Sequence, residues 1–200
     1  MRPTQQLLSA HRDAWNRTMR HPFLRVLEGP VAEAAFRRWL GYEAGWIGQA
    51  LGGLACAVPQ VPRGHRYVVA QALVVLTEEL DWLEAYGLEG EREEGLEAAD
   101  RVVERAFGQG WECSVLVLWT GARLQFDALR GLEPQEELVR AFQERRTSAV
   151  VEAFLHDFAE LTDLALQKLG MATAGDLLAR VVAGQGELWD LGLALLERQE

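Results

Sequence analysis

Apolar residues recur along this chain at i, i+3 and i+4, and strict alternation is nearly absent. That spacing predicts helices and no sheet. The first helix is expected from Thr4 to about Arg20, with Thr4 as its cap, and His21-Pro22-Phe23 breaks it. A second runs from Gly29-Pro30 to about Val58, where Pro59 and Pro62 punctuate a loop. A third spans about Gly64–Tyr86 with Gly87 as its C-terminal cap, and a fourth covers about Glu93–Phe107. After the turn Gly108-Gln109-Gly110, a fifth covers about Trp111–Arg130 and a long sixth about Gln135–Leu169. Gly170 ends the sixth, and the last helix starts near Thr173. These seven helices have short connections and no internal repeat or linker. The expectation is one all-α bundle filling residues 1–200 as a single domain.

Polar residues interrupt the apolar stripes at particular steps. In the second helix Phe36, Leu40, Ile47, Leu51 and Leu54 share a face, and Glu43 stands among them, flanked by Trp39 and Trp46. Glu79 fills the missing step of the stripe Ala72, Leu76, Leu83, Tyr86. Gln125 is in register with Val115, Leu118, Ala122 and Leu129, and Gln185 with Leu178, Val181, Leu188 and Leu195. A core-facing carboxylate is costly unless paired, and an unpaired buried amide costs about 1–3 kcal/mol. These residues either satisfy one another or converge on a cavity that orients a polar ligand. Four of them on four helices favour the cavity. Gly41, Gly45, Gly48 and Gly52 share another face of the second helix, and the expectation there is close helix contact.

Composition narrows the function. The chain is 49% hydrophobic and 25% charged, with a formal charge of −10 and no basic run, which argues against nucleic acid or an anionic membrane as partner. No apolar stretch approaches the roughly 20 residues of a membrane span. The N-terminus does not read as a secretory leader, so a cytoplasmic location is expected. Cys56 and Cys113 each fall in an apolar helical stretch and read as buried free thiols. No Glu stands three residues before His11, His21, His65 or His156, so neither a metal nor another cofactor is expected. GxSxG and phosphate-binding glycine motifs are missing.

The ordered motifs resemble a known family. His21-Pro22-Phe23, then Phe36, Trp39-Leu40, Tyr42-Glu43 and Trp46, are similar to the opening of TenA/thiaminase-II proteins. The run Leu76 to Glu84, the segment Leu118-Trp119 with Phe126-Asp127-Ala128-Leu129, and Gln185 with Leu188-Trp189 resemble later segments in the same order. The resemblance implies a heme-oxygenase-like bundle without heme, with a pocket for the aminopyrimidine part of thiamin-related molecules. Glu43 would hydrogen-bond that ring and share acid–base work with Glu79. Tyr42, Trp46, Gln125, Gln185 and Trp189 would bind the substrate. The departures are specific. Glu43 replaces an Asp, Ala122 falls where a catalytic Glu is expected, Gln125 replaces a Tyr, and Gln185 replaces a Glu. Cys113 lies about two turns too early to supply the nucleophile. A thiamin-salvage hydrolase, a diverged member that binds its ligand without hydrolysing it, and a relative of the pyrroloquinoline-quinone synthesis C proteins all stay open. A small-molecule ligand and a homo-oligomer, dimer or tetramer, are expected; the seven Trp residues suit cores and interfaces alike.

Overall fold

In the computed structural model, which describes residues 1–87, 106 and 109–198, every regular element is helical. The first expected helix is divided in two. α1 (Pro3–Ala10) and α2 (Arg12–Thr18) meet at His11, whose backbone leaves the helical region at φ −109° and ψ 18°. The His11 ring lies so close to Gly175 that a Cβ there would sit 2.7 Å from Nε2. His21-Pro22-Phe23 is not merely a break. The His21 side chain accepts from the Phe23 N–H, and Pro22 opens a short helix, α3 (Pro22–Val26).

α4 (Glu33–Ala57) and α5 (Arg66–Tyr86) form one closely packed antiparallel pair, joined by two 3₁₀ turns. Gly87 ends α5 with its N–H on the Leu83 carbonyl, in extended rather than left-handed backbone. Its lack of a side chain serves another purpose, since a Cβ would come within 3.0–3.1 Å of the Gly41 backbone. Gly41 does therefore meet a close backbone approach, from the residue that ends α5. Gly45, Gly48 and Gly52 do not among the described residues, as a Cβ on any of them meets nothing within 4 Å. The expected fourth helix lies outside the described residues apart from Ala106.

α6 (Trp111–Leu129) is the axis of the bundle. Fifteen of its 19 residues are buried, on every face, because α4, α8 (Ala149–Leu169) and α9 (Met171–Glu197) all pack against it. The expected sixth helix is divided into α7 (Glu137–Arg146) and α8. Ser148 causes the division. Its backbone is extended, and its hydroxyl accepts from the Val151 N–H, so it caps α8. Gly170, at φ 76°, supplies the left-handed residue between α8 and α9. Among the described residues no helix is long and apolar enough to cross a membrane.

The motif residues near the N-terminus lock α3, α4, α7 and α9 together. Phe23, Phe36, Trp39 and Phe142 form a ring cluster with centroids 4.8–5.9 Å apart. Trp39 Nε1 donates to the Leu188 carbonyl at 3.0 Å. Gly192 makes room for this cluster, since a Cβ there would lie 2.5 Å from the Phe23 ring.

Candidate functional site

The four polar residues expected to face inward are all buried: Glu43 is 0% exposed, Gln125 3%, Gln185 6% and Glu79 8%. They come from α4, α6, α9 and α5, and they meet at one level of the bundle. The Gln125 amide donates to both oxygens of Glu43, at 3.1 and 3.2 Å, and to Gln185 Oε1 at 3.1 Å.

Two arginines complete the site, and neither was expected from the sequence. Arg146 donates to Glu43 Oε2 at 3.2 Å and lies 3.5 Å from Glu79 Oε1. Arg145 holds the other oxygen of Glu79 at 3.1 Å and donates to the Glu78 carbonyl. Their guanidinium groups lie over Phe142 and Trp82, each 5.2 Å from the ring centroid. A chain of alternating charge therefore runs Glu43, Arg146, Glu79, Arg145. The arginines occupy the last turn of α7, where a cation also complements the helix dipole.

Not every polar atom in this chain is satisfied. Glu79 Oε1 and Arg146 Nε are buried and make no hydrogen bond. Glu79 Oε1 has only the ion-pair approach of Arg146 at 3.5 Å, so this is the place where a ligand's polar atoms would be rewarded. Next to them is a cavity of about 50 Å³. Its polar wall is Glu79, Gln125, Arg145 and Arg146, and its apolar wall includes Trp46, Leu118, Ala122 and Phe154. A water needs about 10–15 Å³ of such space, so the cavity has room for a few waters or the leading edge of one small ring. Trp46 reaches it because Gly121 has no side chain; a Cβ there would be 2.9 Å from the indole.

Of the other expected residues, Glu43 and Gln185 stand behind this wall rather than in it, one layer from the cavity. Tyr42 and Trp189 are not part of its lining, and Trp189 packs against the His21 ring at 5.8 Å. Ala122 lines the cavity and brings neither lone pair nor proton to it. Among the described residues no three His, Cys, Asp or Glu side chains group so as to hold a metal ion.

Burial pushes the Glu43 carboxyl above its ordinary value, and Glu79 adds to this. Arg146 and the amides of Gln125 and Gln185 pull it back without cancelling the rise. The folded chain therefore holds this proton more tightly than the unfolded chain. The associated stability is fully present below 4.5 and is lost as pH rises through the folded-state value. Wild type is expected to lose stability relative to Glu43→Gln as pH is raised from about 4.5, read as the difference between their denaturant unfolding free energies. A difference moving the other way would show that Arg146 outweighs burial.

No protein-family model matches the sequence, and no curated protein sequence matches it either. Solved structures do match in fold. A TenA homologue from Pyrococcus furiosus superposes with a TM-score of 0.83 at 16% identity, covering 95% of this chain and 99% of the other. A TenA family transcription regulator from Silicibacter sp. TM1040 gives 0.80 at 18%, covering 96% of each chain. A putative TenA-like thiaminase from Sulfolobus solfataricus P2 gives 0.77 at 12%, covering 96% of this chain and 95% of the other. The chain thus has the TenA fold over nearly its whole length.

Proposed function

We propose that this TenA-fold chain belongs to the TenA/thiaminase-II group and binds an aminopyrimidine-like head group in the interior cavity, with little or no hydrolysis. The observation that carries the reading is the pairing of unsatisfied atoms. Glu79 Oε1 is an acceptor and Arg146 Nε a donor, both buried without hydrogen bonds and belonging to groups 3.5 Å apart. An aminopyrimidine presents the complementary pair on one edge, an exocyclic N–H beside a ring nitrogen. Trp46 and Phe154 offer flat apolar surface to its faces. Glu43 in this reading does not touch the ligand. It fixes Gln125 and Arg146 in place from behind.

The expected result is a higher melting temperature with millimolar aminopyrimidine. Ligand at one hundred times Kd stabilises the folded state by about 2.7 kcal/mol, which in a chain of this size is a rise of about 5–10 °C. Glu79→Gln leaves its one oxygen to Arg145 and turns an NH2 donor toward the ligand where the acceptor stood, and should abolish most of the shift. Ala122→Leu should do the same by filling the cavity, without touching the ion pairs. An unchanged wild-type melting curve would end the proposal.

Chemistry is the weaker half of the site. Splitting thiamin by a covalent route needs a nucleophile, and Ala122 stands at the matching step. Gln125 does not titrate in the useful range. Among the described residues lining the cavity, Glu79 is the one carboxylate that could polarise a water. Purified protein incubated with thiamin and followed by chromatography is therefore expected to turn over far below the usual range of about 1–1000 per second. Turnover within that range would mean that another residue supplies the nucleophile.

A further inference from the structure

The interior cavity has a much larger neighbour. A groove of about 640 Å³ runs along the surface between α5 and α8. Val75 and Phe154, both half-buried, line both spaces, so the two share this wall. The groove floor is apolar, and two of its residues are unusually exposed for their type: Val74 at 57% and Val150 at 69%. Its polar positions include Glu78 and Asp157, and none of its lining residues is a cation. Arg145, which reaches the carbonyl of the lining residue Glu78, is also engaged by Glu79 and by the Trp82 ring.

We infer that the α5/α8 groove is the outer half of the ligand site and selects the ligand's substituent: apolar, neutral or cationic, and not anionic. This rests on the reading that the cavity takes the polar head. The cavity of about 50 Å³ admits only the leading edge of that head, and Val75 and Phe154 form the side it shares with the groove, so the rest of the head and anything attached to it would lie on that side, along Val74 and Val150. Exposed apolar surface there gains by being covered, at about 25 cal/mol per Å². An anionic group in the same place would meet Glu78 and Asp157 with no cation to offset them. The groove therefore discriminates by charge, whereas the cavity recognises by hydrogen bonding.

The test is calorimetric titration with four probes: 2-methyl-4-aminopyrimidine, and the same ring carrying a benzyl group, an amine-terminated chain or a phosphonate-terminated chain of equal length. The benzyl and amine probes are expected to bind at least tenfold more tightly than the bare ring, and the phosphonate probe more weakly than either. Val150→Asp, a change at an exposed position outside the cavity wall, is expected to erase the gain of the benzyl probe and leave the bare ring's affinity unchanged. Equal affinities for all four probes would overturn the inference while leaving the head-group reading intact. So would a benzyl gain untouched by Val150→Asp, or tightest binding of the phosphonate probe. Failure of all four to bind would overturn both. Binding of the substituted probes alone, lost in Val150→Asp, would uphold the groove and remove the head-group reading.

Discussion

Arg146→Met is expected to destabilise the protein by about 3–5 kcal/mol at neutral pH, the cost of removing one member of a buried ion pair. The Glu43 side chain is 0% exposed and that of Arg146 12%, so water cannot take over the lost contact. Methionine keeps much of the volume and the contact with Phe142, which isolates the charge. The carboxylate left behind can escape only by taking up a proton. The loss should therefore be largest at high pH and shrink as pH falls and Glu43 becomes neutral. Adding Glu43→Gln to Arg146→Met should restore part of the stability, because it removes the stranded charge; the shortfall from additivity measures the coupling. Urea midpoints at unchanged slope are the readout. A loss below about 1 kcal/mol, the size typical of exposed pairs, would show that the network is solvated and not a buried unit.

Trp39→Ala is expected to be at least as damaging, again by about 3–5 kcal/mol. Trp39 is 1% exposed and its ring contacts Phe23, Phe36 and Phe142 at once. Its N–H also ties α4 to the Leu188 carbonyl of α9. These are the two helices that carry Glu43 and Gln185, so loosening them should also weaken ligand binding from a distance. Trp39→Phe keeps most of the packing and loses the hydrogen bond, and should cost less. A Trp39→Ala variant that melts within 1 °C of wild type would place the core of the bundle elsewhere.

Helical periodicity made the bundle legible, and it made the inward register of Glu43, Glu79, Gln125 and Gln185 legible too. A carboxylate or amide in an apolar stripe stands out in a linear sequence because the stripe defines what belongs there. Arg145 and Arg146 did not stand out. In an unbroken helix from Gln135 to Leu169 they read as ordinary surface charge. Only the division at Thr147-Ser148 turns the end of α7 toward Glu43 and Glu79. The available signal was Ser148 three residues before the N–H of Val151, a capping position hidden inside an apolar run. α6 was misread in degree for a related reason. Its residues were assigned one apolar face, yet it is covered on all sides, and a helix at the centre of a bundle has no polar face to reveal its register. The glycines of α4 show the opposite limit, since spacing alone does not say which of them meets another backbone. Only Gly41 opposes one, at Gly87.

These elements converge on one claim, that the unsatisfied Glu79 oxygen and Arg146 nitrogen at the cavity wall receive the donor and acceptor edge of a small ring. Calorimetric titration of the wild-type protein with 2-methyl-4-aminopyrimidine tests it most directly. The expected result is saturable heat at one ligand per chain, lost in Glu79→Gln. Absence of heat up to millimolar ligand, or binding that survives Glu79→Gln unchanged, would contradict it.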